Sequence, residues 1–175
     1  AHTSRTPTLG GLAIFAGLII ASCIWINTDH LPEFQYITAA CLIVFFIGIK
    51  DDILVIAPLT KFSGQIVAAL ILIVFGGIRI TNLHGFFDIH EVDYLTSLLI
   101  TLLTILVVIN GFNFIDGVYG LSASIGIITA GAFSYWFLWS KNFELAVLSM
   151  SLIGSLFAFF LFNVFGEKNK IFMGD

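Results

Sequence analysis

The sequence predicts an all-α helix bundle that crosses a membrane several times, and both its composition and its apolar runs indicate this. Of the 175 residues, 59% are hydrophobic and only 10% are charged, and the mean hydropathy is +1.07. A soluble domain is about half apolar and about a quarter charged, because its surface has to be solvated. The same composition excludes a disordered chain, which needs low hydrophobicity and high charge.

Six apolar runs divide the chain, and each is expected to form a helix because lipid offers no partner to an open backbone. They cover roughly residues 9–27, 34–49, 62–79, 95–112, 120–139 and 144–165. Most reach the ~20 residues that cross a hydrocarbon core of ~30 Å. We therefore expect about six transmembrane helices in a single membrane domain over residues 1–175.

Three segments carry features beyond their hydropathy. In the first run, Ala13, Gly17 and Ala21 form a stripe of small side chains that lets another helix approach closely. The second run is short and ends on a Lys-Asp-Asp segment at 50–52, so we expect a charged end at the bilayer surface or in a crevice at membrane depth. Residues 78–92 alternate in part between apolar and polar side chains, which predicts a short hairpin at the interface.

Charged and aromatic residues give the bundle an orientation. Five of the seven Lys and Arg residues lie on the side where the chain begins and ends, which the positive-inside rule makes cytoplasmic. The five are Arg5, Lys50, Lys61, Lys168 and Lys170. Interfacial aromatic residues are expected at the opposite ends of the spans, namely Trp25, Tyr36, Tyr94, Tyr135, Trp136 and Trp139. The net charge of −4 and the lack of a basic patch exclude nucleic acid as a partner.

The adjacent carboxylates Asp51 and Asp52 form the first candidate site. Each would cost about 2.5–3.5 kcal/mol at the centre of a lipid-exposed helix. They must therefore lie in water, pair with cations or bind metal. Because neighbouring carboxylates repel each other, the pair suits a divalent cation or a proton-transfer role.

The segment from Asn110 to Gly120 is the second candidate. Asn110, Asn113 and Asp116 are spaced i, i+3, i+6, so on a helix all three can project into one cavity. Amide and carboxylate oxygens are hard ligands that suit Mg²⁺. The chain has no GxxxxGK[ST] sequence, which excludes a P-loop. A helix-capping turn is the alternative interpretation of the same residues.

The last eight residues, 168–175, form the third candidate. Two lysines precede Asp175, so the segment could attract phosphate and hold a metal ion. The alternative is a positively charged cytoplasmic loop with an incidental carboxylate.

Taken in order, these motifs resemble one family of membrane enzymes, the polyprenyl-phosphate N-acetylhexosamine-1-phosphate transferases, which include undecaprenyl-phosphate GlcNAc-1-phosphate transferases of glycosyltransferase family 4. The motifs are Thr6-Pro-Thr-Leu-Gly-Gly11, Asp51-Asp52, Asn110-x-x-Asn113-x-x-Asp116-Gly and Phe172-Met-Gly-Asp175. The resemblance covers the whole chain. Members have about ten or eleven spans, so this chain is expected to be a fragment that lacks the first span and several final ones.

The resemblance implies an activity. Such enzymes transfer N-acetylhexosamine-1-phosphate, here expected to be GlcNAc-1-phosphate, from a UDP-sugar to undecaprenyl phosphate and release UMP. They need Mg²⁺, with Mn²⁺ as an alternative. Their site is a cytoplasmic cleft in the bacterial inner membrane, where they catalyse the first membrane step of a cell-surface glycan pathway such as lipopolysaccharide synthesis.

The resemblance also implies roles for individual residues. Asp175 matches a metal ligand and Phe172 a ring that packs on uracil. Asn113 and Asp116 match the group that helps to hold metal and diphosphate, Asp116 counting among the catalytic residues and Asn110 as a substrate contact. Asp51 and Asp52 match an acidic pair linked to the acceptor phosphate, one of them a proposed base. Lys61 and Arg5 are expected to contact substrate phosphates.

Two departures from the family pattern put details in question. Tyr119 stands where the family has a second Asp after Asp116-Gly, which removes a candidate ligand. Gly166-Glu-Lys-Asn stands where Pro-Ala often precedes the final motif, so that loop is expected to differ in shape.

Several alternatives stay open at this point. Within the family, the donor could be UDP-MurNAc-pentapeptide, as in peptidoglycan synthesis. The lipid phosphate could attack directly, which we prefer, or through a phospho-aspartate. Outside the family, an ion-coupled transporter also uses intramembrane Asp and Asn, but it would place them near the bilayer midplane. The sequence does not determine the oligomeric state.

Overall fold

The computed structural model describes residues 10–54, 56–86, 88–116, 118 and 120–166. The described chain forms helices α1 to α6 and one two-stranded sheet. The helices are α1 Gly10–Trp25, α2 Phe34–Leu54, α3 Pro58–Leu70 with a π-helical continuation Ile71–Phe75, α4 Tyr94–Ile115, α5 Leu121–Trp139 and α6 Phe143–Phe165. The strands are β1 Asn82–Phe86 and β2 Ile89–Glu91.

The expected all-α membrane bundle is confirmed. Among the described residues, four stretches are long and apolar enough to cross a membrane by length and composition: Pro58–Phe75, Tyr94–Ile115, Leu121–Trp139 and Phe143–Phe165. Gly10–Trp25 is apolar but shorter. In α4 only 6% of the most apolar stretch is buried within the chain, which fits a helix that faces lipid. The chain is therefore a multi-pass membrane protein.

Several helix boundaries differ from those expected from hydropathy, most clearly at α2 and α3. The second helix does not stop at residue 49 but runs to Leu54, so its charged segment 50–52 is helical. The third begins earlier, at Pro58, because proline suits the first turn of a helix. Its π-helical end stops at Phe75 and is capped by Gly76, which precedes Gly77 at φ +64°. Hydropathy found the apolar cores of these helices but not the polar turns at their ends.

The helices form a ring in chain order. Helix α6 packs between α5 and α1, α2 packs on α3, and α1–α2, α3–α4 and α4–α5 also touch. The small side chains expected to allow close packing do so at Gly17, where an added Cβ would lie 2.7 Å from Ser155 Oγ on α6. Gly126 on α5 meets Leu156 in the same way. Close helix packing therefore occurs along α1, α5 and α6.

The expected hairpin is present at one end of the bundle. Strands β1 and β2 are antiparallel, with Asn82 opposite Glu91. The backbone before the hairpin is tied to α4, because Ser97 Oγ donates to the Ile80 carbonyl at 2.6 Å. At this hairpin end the Arg79 guanidinium also lies 4.6 Å from the centre of the Tyr94 ring.

Candidate active site

Those polar residues singled out in the sequence that the structure describes, from Asp51 to Asp116, lie at the end of the bundle opposite the hairpin. Consecutive helices alternate in direction, so this end gathers the C-terminal ends of α2, α4 and α6 and the N-terminal ends of α3 and α5. Several hydrogen bonds join neighbouring helices here, among them one between Gln65 on α3 and Asn110 on α4 and one between Asn163 on α6 and Gly120 before α5. We call this end the site end.

Asp51 and Lys61 form an ion pair across the turn between α2 and α3. Lys61 Nζ donates to Asp51 Oδ2 at 3.0 Å, and the two side chains are only 18% and 14% exposed. The other carboxylate oxygen, Oδ1, accepts the Ile56 backbone N–H at 2.9 Å. Both oxygens of Asp51 are therefore engaged, and the arrangement holds the Lys61 ammonium in place. The sequence suggested both residues but not that they pair.

Asp52 lies on a different surface from Asp51, because successive residues of a helix are rotated by about 100°. It lines a largely apolar, partly open cavity of about 490 Å³ between α1, α2, α3 and α4. Other residues in the lining are Phe15, Cys41, Val44, Ala69, Ile105 and Ile109. The acidic pair expected to act together is thus divided between an ion pair and a cavity wall.

A second, smaller pocket lies between α3 and α4. It has a volume of about 370 Å³, and its polar lining consists of Lys61, Gln65 and Asn110. Asn110 Nδ2 donates to Gln65 Oε1 at 2.8 Å and to the Leu106 carbonyl at 2.8 Å. Gln65 is a residue that the sequence analysis missed. Its signal was a lone amide in the apolar third run.

Asp116 ends helix α4, and its side chain is already bound. It is the C-terminal capping residue of that helix, and its Oδ1 accepts the hydroxyl of the buried Ser122 at 2.8 Å. Asn113 lies three residues earlier, within the same helix. Ser122 was also missed by the sequence analysis, since a serine in an apolar helix gives no distinctive pattern.

The turn between α4 and α5 is held from α6. Gly120 has φ +75°, and an added Cβ would lie 2.8 Å from Val164 Cγ2 and 3.2 Å from Phe160 Cε2. Its N–H donates to Asn163 Oδ1 at 2.6 Å, and Asn163 is only 2% exposed. A glycine is required here by both conformation and space. The position of the turn that follows Asp116 is thereby fixed relative to α6.

The candidate site residues Arg5, Phe172 and Asp175 lie outside the described residues, as does Tyr119. Within the described part of the chain, no three His, Cys, Asp or Glu side chains lie together as a group that could hold a metal ion. The donors described there are the amide oxygen of Asn113 and the carboxylate of Asp116. Both are hard oxygen ligands of the type that Mg²⁺ prefers.

Comparison with known proteins gives consistent relatives. The sequence model of glycosyl transferase family 4 matches residues 34–175. The decaprenyl-phosphate N-acetylglucosaminephosphotransferase of Mycobacterium leprae (strain TN) is 34% identical over 192 residues, which cover 99% of this chain and 48% of that protein. The undecaprenyl-phosphate alpha-N-acetylglucosaminyl 1-phosphate transferase of Yersinia pestis is 27% identical over 177 residues, which again cover 99% of this chain and 48% of that protein.

A third relative, the enzyme of the same name from Escherichia coli (strain K12), is 24% identical with the same coverage of 99% and 48%. The chain therefore spans about half the length of the curated relatives it matches. No solved structure matches it. The matched region includes helices α2 to α6 and the polar side chains described above at the site end. On this match, the chain belongs to glycosyl transferase family 4.

Proposed function

We propose that the protein transfers GlcNAc-1-phosphate from UDP-GlcNAc to a polyprenyl phosphate, most simply undecaprenyl phosphate, and releases UMP. The observation that carries the proposal is the site end itself, where a Lys61–Asp51 ion pair, an Asn110 amide and the Asp116 turn come together in a member of this family. The names of the relatives share a polyprenyl-phosphate acceptor and an N-acetylglucosamine phosphate. We place the site at the cytoplasmic face of a bacterial inner membrane.

The reaction is an exchange between two phosphoryl groups. An oxygen of the acceptor phosphate attacks the β-phosphorus of UDP-GlcNAc, a new P–O bond forms, and the bond to UMP breaks. The acceptor, with a second pKa of about 6, is already largely ionised near pH 7. The main task of the protein is therefore to align two anions that repel each other.

We assign Lys61 the role of binding the phosphates of the substrates. Its ammonium is held at 3.0 Å from Asp51, so the position of the positive charge is fixed before any substrate enters. Asp51 acts mainly by positioning Lys61, because both of its oxygens already accept hydrogen bonds. Asn110 borders the same pocket and would contact the donor sugar or its diphosphate.

Asn113, Asp116 and Asp175 are the residues we assign to a divalent cation, in agreement with the hard-donor character of their oxygens. Mg²⁺, when bound, supplies positive charge that offsets the repulsion between donor diphosphate and acceptor phosphate. Mn²⁺ is the expected substitute. Ser122 restrains the Asp116 carboxylate through its 2.8 Å hydrogen bond and so prepares it for this role.

The apolar cavity of about 490 Å³ is the proposed place for the first isoprene units of the acceptor. Its lining is apolar except at Asp52, and α2 also carries Asp51, whose side chain binds Lys61. An acceptor chain in this cavity would therefore leave its phosphate near the charged end of α2.

The experiment is an assay of UMP release by the full-length protein in nanodiscs, with UDP-GlcNAc, undecaprenyl phosphate and Mg²⁺. We expect release that depends on the lipid and stops with EDTA. Release only with UDP-MurNAc-pentapeptide would change the donor within the family. If no UDP-sugar supports release, the transferase proposal is wrong and ion-coupled transport becomes the function to test.

A further inference from the structure

We infer that Gln65 is a positioning residue, which holds the side-chain amide of Asn110 in one orientation and makes Asn110 a hydrogen-bond acceptor toward the substrate. The inference rests on the proposed function, in which Asn110 and Lys61 contact the substrate. Gln65 lies on α3, across from Asn110 on α4, and lines the same pocket as Asn110 and Lys61.

The orientation of the two amides follows from a chain of hydrogen bonds. The carbonyl of Leu106 can only accept, so the Asn110 atom that lies 2.8 Å from it must be Nδ2. The second hydrogen of Nδ2 points to Gln65 at 2.8 Å, and the atom there must therefore be the acceptor Oε1. Gln65 Nε2 then faces Asn110 Oδ1 at 3.5 Å.

Burial of Gln65 makes these hydrogen bonds costly to lose. Gln65 is only 2% exposed, and a buried amide without hydrogen-bond partners is costly. The pairing is thus the favourable arrangement for Gln65 as well as for Asn110. The Leu106 carbonyl, one turn earlier on α4, selects the flip of the Asn110 amide, and the hydrogen bond to Gln65 on α3 adds a second interaction that favours the same flip.

The consequence is a division of chemistry within the pocket. Both N–H groups of Asn110 are engaged, so Oδ1 is the atom with capacity to bind a ligand. A carbonyl oxygen accepts from a hydroxyl, an amide N–H or a water, and it repels phosphate oxygens. Lys61, in the same pocket, has the opposite preference. The pocket therefore suits a substrate that carries a phosphate beside a hydrogen-bond donor.

The test compares four variants of the full-length protein in nanodiscs. Gln65→Leu keeps the approximate size but removes the hydrogen bonds, whereas Gln65→Glu keeps an oxygen that can accept from Asn110 Nδ2. Asn110→Leu removes the partner. Gln35→Leu is the matched control, because Gln35 is an exposed glutamine at the hairpin end of α2. Melting temperatures and the kcat and KM of UMP release are measured for each, and for the double variant of Gln65→Leu with Asn110→Leu.

We expect Gln65→Leu to lower kcat/KM about tenfold, the effect of losing one well-placed hydrogen bond, and Gln65→Glu to restore a clear part of it. The decrease in melting temperature of the double variant should be smaller than the sum of the decreases of the two single variants. Additive melting shifts would overturn the pairing, and equal losses for the Leu and Glu variants would overturn the positioning role. If the wild type releases no UMP, the proposed function fails instead, and the melting data alone decide the pairing.

Discussion

Replacing Gly120 by alanine places a methyl group where the backbone conformation and the neighbouring helix both disfavour it. Gly120 has φ +75°, and the added Cβ would lie 2.8 Å from Val164 Cγ2 and 3.2 Å from Phe160 Cε2. The left-handed conformation costs a non-glycine residue roughly 1–2 kcal/mol. Overpacking against well-packed side chains adds about 1–3 kcal/mol. We expect the free energy of unfolding to fall by about 2–5 kcal/mol.

The assay is denaturation of the full-length protein in mixed micelles, followed by far-UV circular dichroism. Gly131→Ala is the matched control, because Gly131 lies within α5 and an added Cβ there would meet nothing within 4 Å. The control should be neutral or slightly stabilising, since alanine favours a helix. If Gly120→Ala unfolds at the same denaturant concentration as Gly131→Ala, the account of how α6 holds the turn before α5 is wrong.

Three further predictions concern charge, the cavity and pH. Lys61→Met should lower kcat for UMP release at least about a hundredfold, because the positive charge held beside the reacting phosphates is lost. Lys141→Met, at the hairpin end, is the control and should leave kcat unchanged. Cys41→Phe should fill the apolar cavity and raise the KM for undecaprenyl phosphate but not the KM for UDP-GlcNAc. Cys23→Phe, on an exposed face of α1, is the control and should raise neither KM. Hydrogen bonds from Thr96 hold the pKa of the N-capping Asp93 below its usual 3.8, so its contribution to stability is present above that pH and lost below it. Asp93→Ala should thus lower the melting temperature at pH 7, and a persistent difference at pH 2 would contradict this.

Much of the fold could be predicted because hydropathy reports directly on burial in lipid. The apolar runs located every helix described here, and partial alternation located the hairpin. The stripe that contains Gly17 identified a close helix contact. The ends of α2 and α3 were not predictable from hydropathy, since the charged turn at 50–52 is held by an ion pair formed with the next helix.

The site could be predicted only in part, because its residues act in pairs across helices. The sequence named Asp51, Lys61 and Asn110, but it contained no sign that Asp51 pairs with Lys61. The partners Gln65 and Asn163 look in sequence like lone amides in apolar helices. Their importance depends on which helix packs beside them, and that is a property of the folded bundle.

The most direct test of the central proposal follows the phosphates of the donor. UDP-GlcNAc labelled with ³²P on the β-phosphate is incubated with undecaprenyl phosphate, Mg²⁺ and the full-length protein in nanodiscs, and the lipid and aqueous phases are separated. The account predicts that the label moves to the lipid phase while unlabelled UMP stays in water, and that Asp116→Asn abolishes the transfer. Label that stays in the aqueous phase, as UDP or as intact donor, would contradict it.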